Sequence, residues 1–415
     1  MISYIIIGLI ALMYVIDLVI TLINYKNRTQ PIPEIARYIY DQEKYTKWLN
    51  YFMETMRFEI IVKFVSTALL LGLLIFGFFG YLERITLQWF NHPILQTLAF
   101  LGVFGLLSML ISLPFDYYAT FVIEEKYGFN KTTHKTFIVD LLKSILVAAV
   151  LGGGLVALLN AVYLEFIDHI WWFILYAWVI LTIVMIILFV LNTKVFVKIF
   201  NKLTPLPDGE LRDKIQALAE KVGFSVKAIS VMDASKRSTK LNAFFSGLGK
   251  TREVVLFDTL VEKLDDEEIL SVLAHELGHA VHKDVPKMLA MQILMFGLYA
   301  VVIGFILQSA SLAQAFGLSG VNLGFSLILF SVLISPLEFL LGFPLNHISR
   351  KAEYAADAFA TKYVGKEATS GAFKVLAQEN LSNLTPHPLY VLVHYNHPTI
   401  PQRLEAISNN TVKLS

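Results

Sequence analysis

The chain has 415 residues, of which 56% are apolar and only 16% are Asp, Glu, Lys or Arg. Soluble domains run nearer roughly 45–50% apolar and about 25% charged, which excludes a water-soluble enzyme and a disordered chain alike. There is no cysteine, hence no disulfide framework, thiol nucleophile or thiolate ligand, and a net charge of +1 gives no reason to expect nucleic acid as a partner.

A bilayer-crossing helix needs roughly 20 apolar residues. Seven stretches qualify, near 3–24, 58–80, 94–115, 142–164, 171–193, 288–310 and 321–344. The first has no basic leading region and no small-residue cleavage site, so it is expected to be a retained anchor. The connecting loops sort by charge. Lys26, Arg28, Arg37, Lys44, Lys47 and Arg57 follow the first stretch, and Lys126, Lys131 and Lys135 follow the third. The loop after the second has only Arg84, and the one after the fourth carries Glu165 and Asp168 with no base. Lys and Arg gather on the cytosolic side, which predicts the N terminus outside and the C terminus in the cytosol. The expected organisation is 1–193 with five spans, 288–344 with two more, and 194–287 with 345–415 as two halves of one cytosolic domain.

In that domain Pro205-Leu206-Pro207-Asp208-Gly209 ends the fifth span. Leu211, Ile215, Leu218 and Val222 then repeat at helical spacing, with Asp208 as the expected N-cap and Gly223 as the stop. Ala228–Met232, Leu241–Ser246 and Glu253–Phe257 are rich in β-branched and aromatic residues and predict a small antiparallel sheet. Asp265-Asp266-Glu267-Glu268 is an acidic first turn suited to the positive end of a helix, whose apolar face is Leu270, Leu273, Leu277 and Val281. The segment from about 346 onward is expected to be mostly helical.

The acidic-capped helix contains His275-Glu276-Leu277-Gly278-His279. Histidines four apart share a helix face and can meet one ion, with Glu276 placed to work on a water there. Catalytic zinc needs a third protein ligand. His282 lies about 10 Å along the axis from His275 and is expected to be a solvated or capping residue. Glu353, in Lys351-Ala352-Glu353-Tyr354-Ala355-Ala356-Asp357, suits the third position better. Asp357, one turn on, can hold the free N–H of a ligand imidazole.

HELGH followed, after two further spans, by EYAADAFA resembles the integral-membrane zinc metalloproteases that include the type-1 CAAX prenyl protease. Pro114-Phe115-Asp116-Tyr117-Tyr118 and Ile123-Glu124-Glu125-Lys126-Tyr127-Gly128-Phe129-Asn130-Lys131-Thr132 are similar to that family's segment after the third span. Asn242-Ala243-Phe244-Phe245-Ser246-Gly247 is similar to its substrate-binding strand, and His397-Pro398 with Arg403 to its C-terminal catalytic segment. The shorter heat-shock membrane proteases share the zinc motifs but have about four spans; seven favour the prenyl-protease branch. The resemblance implies a predominantly α protein with seven transmembrane helices and a cytosolic gluzincin-like zinc protease domain carrying a small β-sheet. It implies one Zn2+ held by His275, His279 and Glu353, Glu276 as general base, Asn242 and Ala243 as the strand that receives substrate, and His397 and Arg403 facing the oxyanion. Substrates would be peptides or proteins, lipidated ones among them, reached among membrane lipids.

Two departures bear on origin and fit. HELGH is followed by Ala-Val-His-Lys-Asp instead of the Trp-Lys-Leu-Gly-His run of eukaryotic members, and the chain ends Thr-Val-Lys-Leu-Ser with no retrieval signal. The expected location is therefore a bacterial inner membrane, or the ER membrane in a eukaryote. A general quality-control protease for membrane proteins is the alternative function. A transporter or scaffold with a vestigial metal site is the remote one, prompted by Asp17, Asp116 and Glu338 within spans.

Overall fold

The computed structural model describes residues 1–224, 228–246 and 253–409. Gly247 and Thr411–Ser415 lie outside them. The first half is helical: α1 (Ile2–Lys26), α2 (Gln42–Ile75), α3 (Phe78–Trp89), α4 (Pro93–Tyr118), α5 (His134–Val147), α6 (Gly153–Glu165), α7 (Ile170–Leu191) and the short α8 (Val197–Phe200). A wide turn at Ala119–Glu124 extends α4, and another at Ala148–Gly152 joins α5 to α6 as one span. The soluble part follows as β1 (Leu203–Pro205), α9 (Glu210–Lys221), β2 (Ala228–Met232), β3 (Ala243–Ser246), β4 (Glu253–Phe257), α10 (Asp258–Lys263) and α11 (Asp266–Val281). Then come α12 (Asp284–Leu307), α13 (Ala310–Gln314), α14 (Leu323–Leu333), α15 (Ser335–Tyr363), α16 (Lys366–Glu379), α17 (Pro388–His394) and α18 (Ile400–Ser408).

Among the described residues six helical segments are long and apolar enough to cross a membrane, and α14 with α15, bent by 48°, makes a seventh when the pair counts as one span. Leu106, Leu110, Leu142, Leu146, Ile183 and Ile187 point outward from these helices. Such apolar exposure fits a lipid surround. The protein is a multi-pass membrane protein.

Two helices differ from the hydropathy-based expectation. α2 begins at Gln42, well before the apolar stretch at 58. Its first half is amphipathic, with Trp48, Phe52 and Met56 buried four apart in a cluster that includes Phe373 and Leu404 of the C-terminal segment. Averaging polar and apolar faces hides such a helix. α3 follows Gly77, whose φ of 69° suits glycine alone, and buries Phe79 and Leu82 in the membrane core.

The sheet has the order β1-β2-β4-β3. β2 pairs with β4 in parallel, so the expected all-antiparallel sheet is corrected to a mixed one. The β3–β4 hairpin inserts with β4 innermost, and alternation within a strand cannot reveal which neighbour it meets. Val254, Val255 and Leu256 are all buried, as both faces of a central strand require. The expected N-cap at Asp208 is also corrected. α9 starts from Gly209, and the Asp208 carboxylate instead pairs with Arg212. One core unites α9, α10 and β4 with the inner faces of α11, α15 and α16, through Ile215, Leu256, Leu260, Leu273, Leu277, Phe359 and Ala372.

Candidate metal centre

α11 opens with a capping box: Glu268 N–H donates to Asp265, and Asp265 N–H donates back to Glu268. Asp266 and Glu267 sit beside them at the positive helix end. Two turns on, His275 and His279 bring their Nε2 atoms to 3.2 Å. α15 supplies Glu353, whose Oε2 is 3.3 Å from His275 Nε2 and whose Oε1 is 3.4 Å from His279 Nε2.

Tetrahedral zinc, with bonds of about 2.0–2.1 Å, holds its ligand atoms roughly 3.3 Å apart. The triangle has that spacing. Glu353 Oε2 is moreover buried without a hydrogen-bond partner among the described residues, a cost that a bound cation removes. The donor set fits zinc.

Close approach of α11 and α15 makes the triangle possible. A Cβ on Gly278 would stand 3.0 Å from Ala356 Cα and 3.1 Å from Phe359 Cβ, so the glycine of HELGH is a packing requirement.

Each imidazole is oriented from behind. His275 Nδ1 is 2.9 Å from Asp357 Oδ1, and His279 Nδ1 is 3.1 Å from Asp284 Oδ2. A carboxylate there fixes the Nδ1–H tautomer and turns Nε2 to the ion. Asp357 is fully buried. Burial pushes its carboxyl up, but Arg403 and His275 more than offset that and hold it below its ordinary range. Arg403 donates to it through Nε at 2.8 Å and Nη2 at 2.5 Å, and its guanidinium lies 4.2 Å from the Phe373 ring. Nη2 is also 3.2 Å from His275 Nδ1 and 3.6 Å from Glu353 Oε2. A second capping box, Thr399 with Gln402, starts the α18 helix that delivers Arg403.

His397 reaches Glu353 Oε1 at 3.0 Å while its side chain stays 56% exposed, so it has a face turned to the site opening. His282 is the C-cap of α11 and packs edge-on to Phe359, in keeping with its expected capping place.

A cavity of about 330 Å³ joins these groups. Glu276, Asn242, Ala243, His397 and Arg403 border it with the three donors, and Leu260, Val272, Ala372, Phe373 and Leu376 give it an apolar wall. Desolvation there pushes the Glu276 carboxyl up from its ordinary range. Among the described residues β3 is the edge strand of the sheet, and no other described strand pairs with its outer side. Asn242 Oδ1 accepts from the Ala243 N–H at 2.8 Å.

All nine residues singled out from the sequence thus meet around one cavity or directly behind it. Asp284 was missed. Its only sequence signal is an acid five residues beyond His279, just past the helix end at His282-Lys283.

Residues 21–202 match the family described as CAAX prenyl protease N-terminal, five membrane helices, and residues 205–411 match peptidase family M48. The CAAX prenyl protease 1 homolog of Arabidopsis thaliana is 34% identical, covering 98% of each chain. CAAX prenyl protease 1 of Saccharomyces cerevisiae is 34% identical over 91% of this chain and 88% of its own. The crystal structure of S. mikatae Ste24p superimposes with a TM-score of 0.92 at 32% identity, covering 98% of this chain and 99% of that one. The chain belongs to peptidase family M48, among the membrane zinc metalloproteases homologous to CAAX prenyl protease 1.

Proposed function

We propose that this metalloprotease cleaves peptide bonds near the C termini of prenylated or other membrane-associated peptides. His275, His279 and Glu353 would hold one Zn2+. The observation that carries the assignment is the ligand triangle opening, together with Glu276, onto a cavity bordered by the edge strand β3.

Zinc, when bound, supplies the Lewis acid that polarises the scissile carbonyl and acidifies water. Glu276 takes the proton of the attacking water and passes it to the leaving amine. Its raised affinity for protons suits a base that must also act as an acid. The oxyanion needs donors on the Glu353 side of the cavity. His397 offers Nε2 there, and Arg403 retains N–H groups beyond the two spent on Asp357. Asn242 and Ala243 receive the substrate main chain as an added strand.

Loop charge supports an N terminus outside and both halves of the protease domain on the cytosolic face of a bacterial inner membrane. The transporter alternative loses much of its support, since Asp17 is paired with Lys63 at 2.8 Å and Glu338 accepts from Tyr299 at 2.6 Å.

The test is incubation of detergent-purified protein with a farnesylated CAAX peptide and an unlipidated fluorogenic peptide, each with and without a zinc chelator. Chelator-sensitive cleavage that favours the farnesylated peptide is expected. Equal turnover of both points to the quality-control alternative, and cleavage indifferent to the chelator overturns the assignment.

A further inference from the structure

We propose that Lys240 and Glu124 are positioning residues for substrate, an ion pair that ties the lead into β3 to the membrane helices and so sets where that strand lies beside the metal-binding triangle. The inference rests on the proposal above that β3 receives the substrate main chain, and deepens it.

β3 pairs with β4 from Ala243 onward, and Phe257 N–H extends the register by one bond, to Asn242 C=O at 3.1 Å. The residues before it are paired elsewhere. Lys131 N–H donates to Arg237 C=O at 3.0 Å, and Thr239 N–H to Phe129 C=O at 3.1 Å. These are the two bonds of a short antiparallel bridge between Asn130 and Ser238. The partner segment joins α4 to α5, so the chain entering β3 leans on a membrane linker. Hydroxyl groups reinforce the bridge: Thr132 Oγ1 donates to Arg237 C=O at 3.2 Å, and Thr239 Oγ1 to Gly128 C=O at 3.1 Å. Arg237 also grips Asp140 of α5 with two parallel bonds, of 2.8 and 3.0 Å.

Lys240 completes the brace one residue nearer the site. Its Nζ is 2.8 Å from Glu124 Oε2 and 3.1 Å from the Tyr51 oxygen, and Tyr51 O–H donates to Glu124 Oε1 at 2.5 Å. The ammonium also lies 4.5 Å from the centre of the Phe129 ring. Tyr51 belongs to α2, and Glu124 ends the wide turn that extends α4. One side chain thus joins the strand to two membrane helices. From the other side, Lys240 C=O accepts from the Thr259 hydroxyl at 2.9 Å. A half-buried pair with several partners holds one geometry, unlike an isolated surface ion pair.

What the brace reaches decides its effect. Asn242, two residues beyond Lys240, borders the cavity with the three metal donors, and neither Lys240 nor Glu124 lines it. A slack brace therefore displaces the strand that holds substrate and leaves the donors and Glu276 in place. Main-chain grip of this kind is equal in the ground state and the transition state, so its loss raises KM and spares kcat. The Ile123–Thr132 segment, singled out from the sequence without a task, acquires one here.

The experiment uses the full-length zinc-loaded protein in detergent and the unlipidated fluorogenic peptide, with kcat, KM, zinc per chain and the thermal midpoint measured for each variant. Lys240→Gln and Glu124→Gln should each raise KM about tenfold, the effect of losing one charge-assisted hydrogen bond, with kcat within about twofold of wild type and zinc unchanged. The exchanged pair, Lys240→Glu with Glu124→Lys, should bring KM back to within about threefold of wild type, because it restores the attraction with its sign reversed. Thr239→Val, which keeps the charges and the backbone bridge, should raise KM about threefold and serves if a charge variant fails to fold. Wild-type KM in the folded single variants overturns the proposal. So does a fall in kcat at unchanged KM, the mark of a residue that only keeps molecules folded, and so does an exchanged pair no better than the single variants. Each of these leaves the endopeptidase function standing, whereas failure of the zinc-loaded wild type to cut any peptide overturns that function itself.

Discussion

Replacing Gly278 by alanine separates folding from metal binding. The added Cβ would meet Ala356 Cα at 3.0 Å and Phe359 Cβ at 3.1 Å, and the first of these is backbone that no rotamer change can move. Relief therefore requires α15 to retreat from α11 by a few tenths of an ångström. Overpacking of this kind costs about 1–3 kcal/mol, whereas alanine gains about 0.8–1 kcal/mol over glycine in a helix interior. The net change in stability should be small, between about zero and 2 kcal/mol of destabilisation. The metal site has no such offset. Glu353 lies one turn before Ala356 on the retreating helix, and its carboxylate must stay near 3.3 Å from His275 and 3.4 Å from His279. We expect zinc affinity to fall about 10- to 100-fold, the range seen when a ligand loses its orienting support. Zinc per chain after dialysis against graded chelator measures this, beside a thermal unfolding midpoint. Wild-type zinc retention in Gly278→Ala would refute the claim that this glycine sets the ligand spacing.

Glu276→Gln should abolish peptide cleavage, by about 100-fold or more, with zinc still bound; loss of zinc would show that Glu276 is a ligand instead. Asp284→Asn should weaken zinc binding about 10- to 100-fold through the orientation of His279, and unchanged metal affinity would reduce Asp284 to a helix-end residue. Arg403→Ala leaves the buried Asp357 carboxylate without its main partner and should destabilise the protein by about 3–5 kcal/mol in denaturant unfolding. A shift below about 1 kcal/mol would mean that water takes over the guanidinium's place.

How legible the site was depends on whether its residues advertise themselves within one helix. His275, Glu276 and His279 do, because a fixed pitch turns spacing into geometry. Glu353 and Asp357 were found because they too are one turn apart on a single face. Asn242, His397 and Arg403 carry no such internal pattern and were reached through family resemblance alone. Asp284 acts from beyond a helix end, a relation that leaves no periodic trace. The fold divides in the same way. Apolar spans announce themselves, whereas the buried stripe of Trp48, Phe52 and Met56 is diluted by its polar face, and the parallel β2–β4 pairing is invisible within either strand.

α12 begins with Asp284, behind His279, and continues through Leu307, while α15 starts at Ser335 by the bend of the last span and runs unbroken to Glu353. Three of the four carboxylates around the metal-binding triangle thus ride on helices that continue from the membrane, Asp284 on α12 and Glu353 with Asp357 on α15, Glu353 about 27 Å along its helix from Ser335 at 1.5 Å per residue. A soluble protease on a tether could trade its anchor for another. Here the anchor is part of the site, because α12 and α15 carry Asp284 and Glu353 on the same helices that enter the membrane. Helices tilt to match bilayer thickness, and over such a lever arm a small tilt becomes a displacement of a ligand. A change in bilayer thickness would thereby reach the ligand triangle through the tilt of these helices, with no binding site for lipid required.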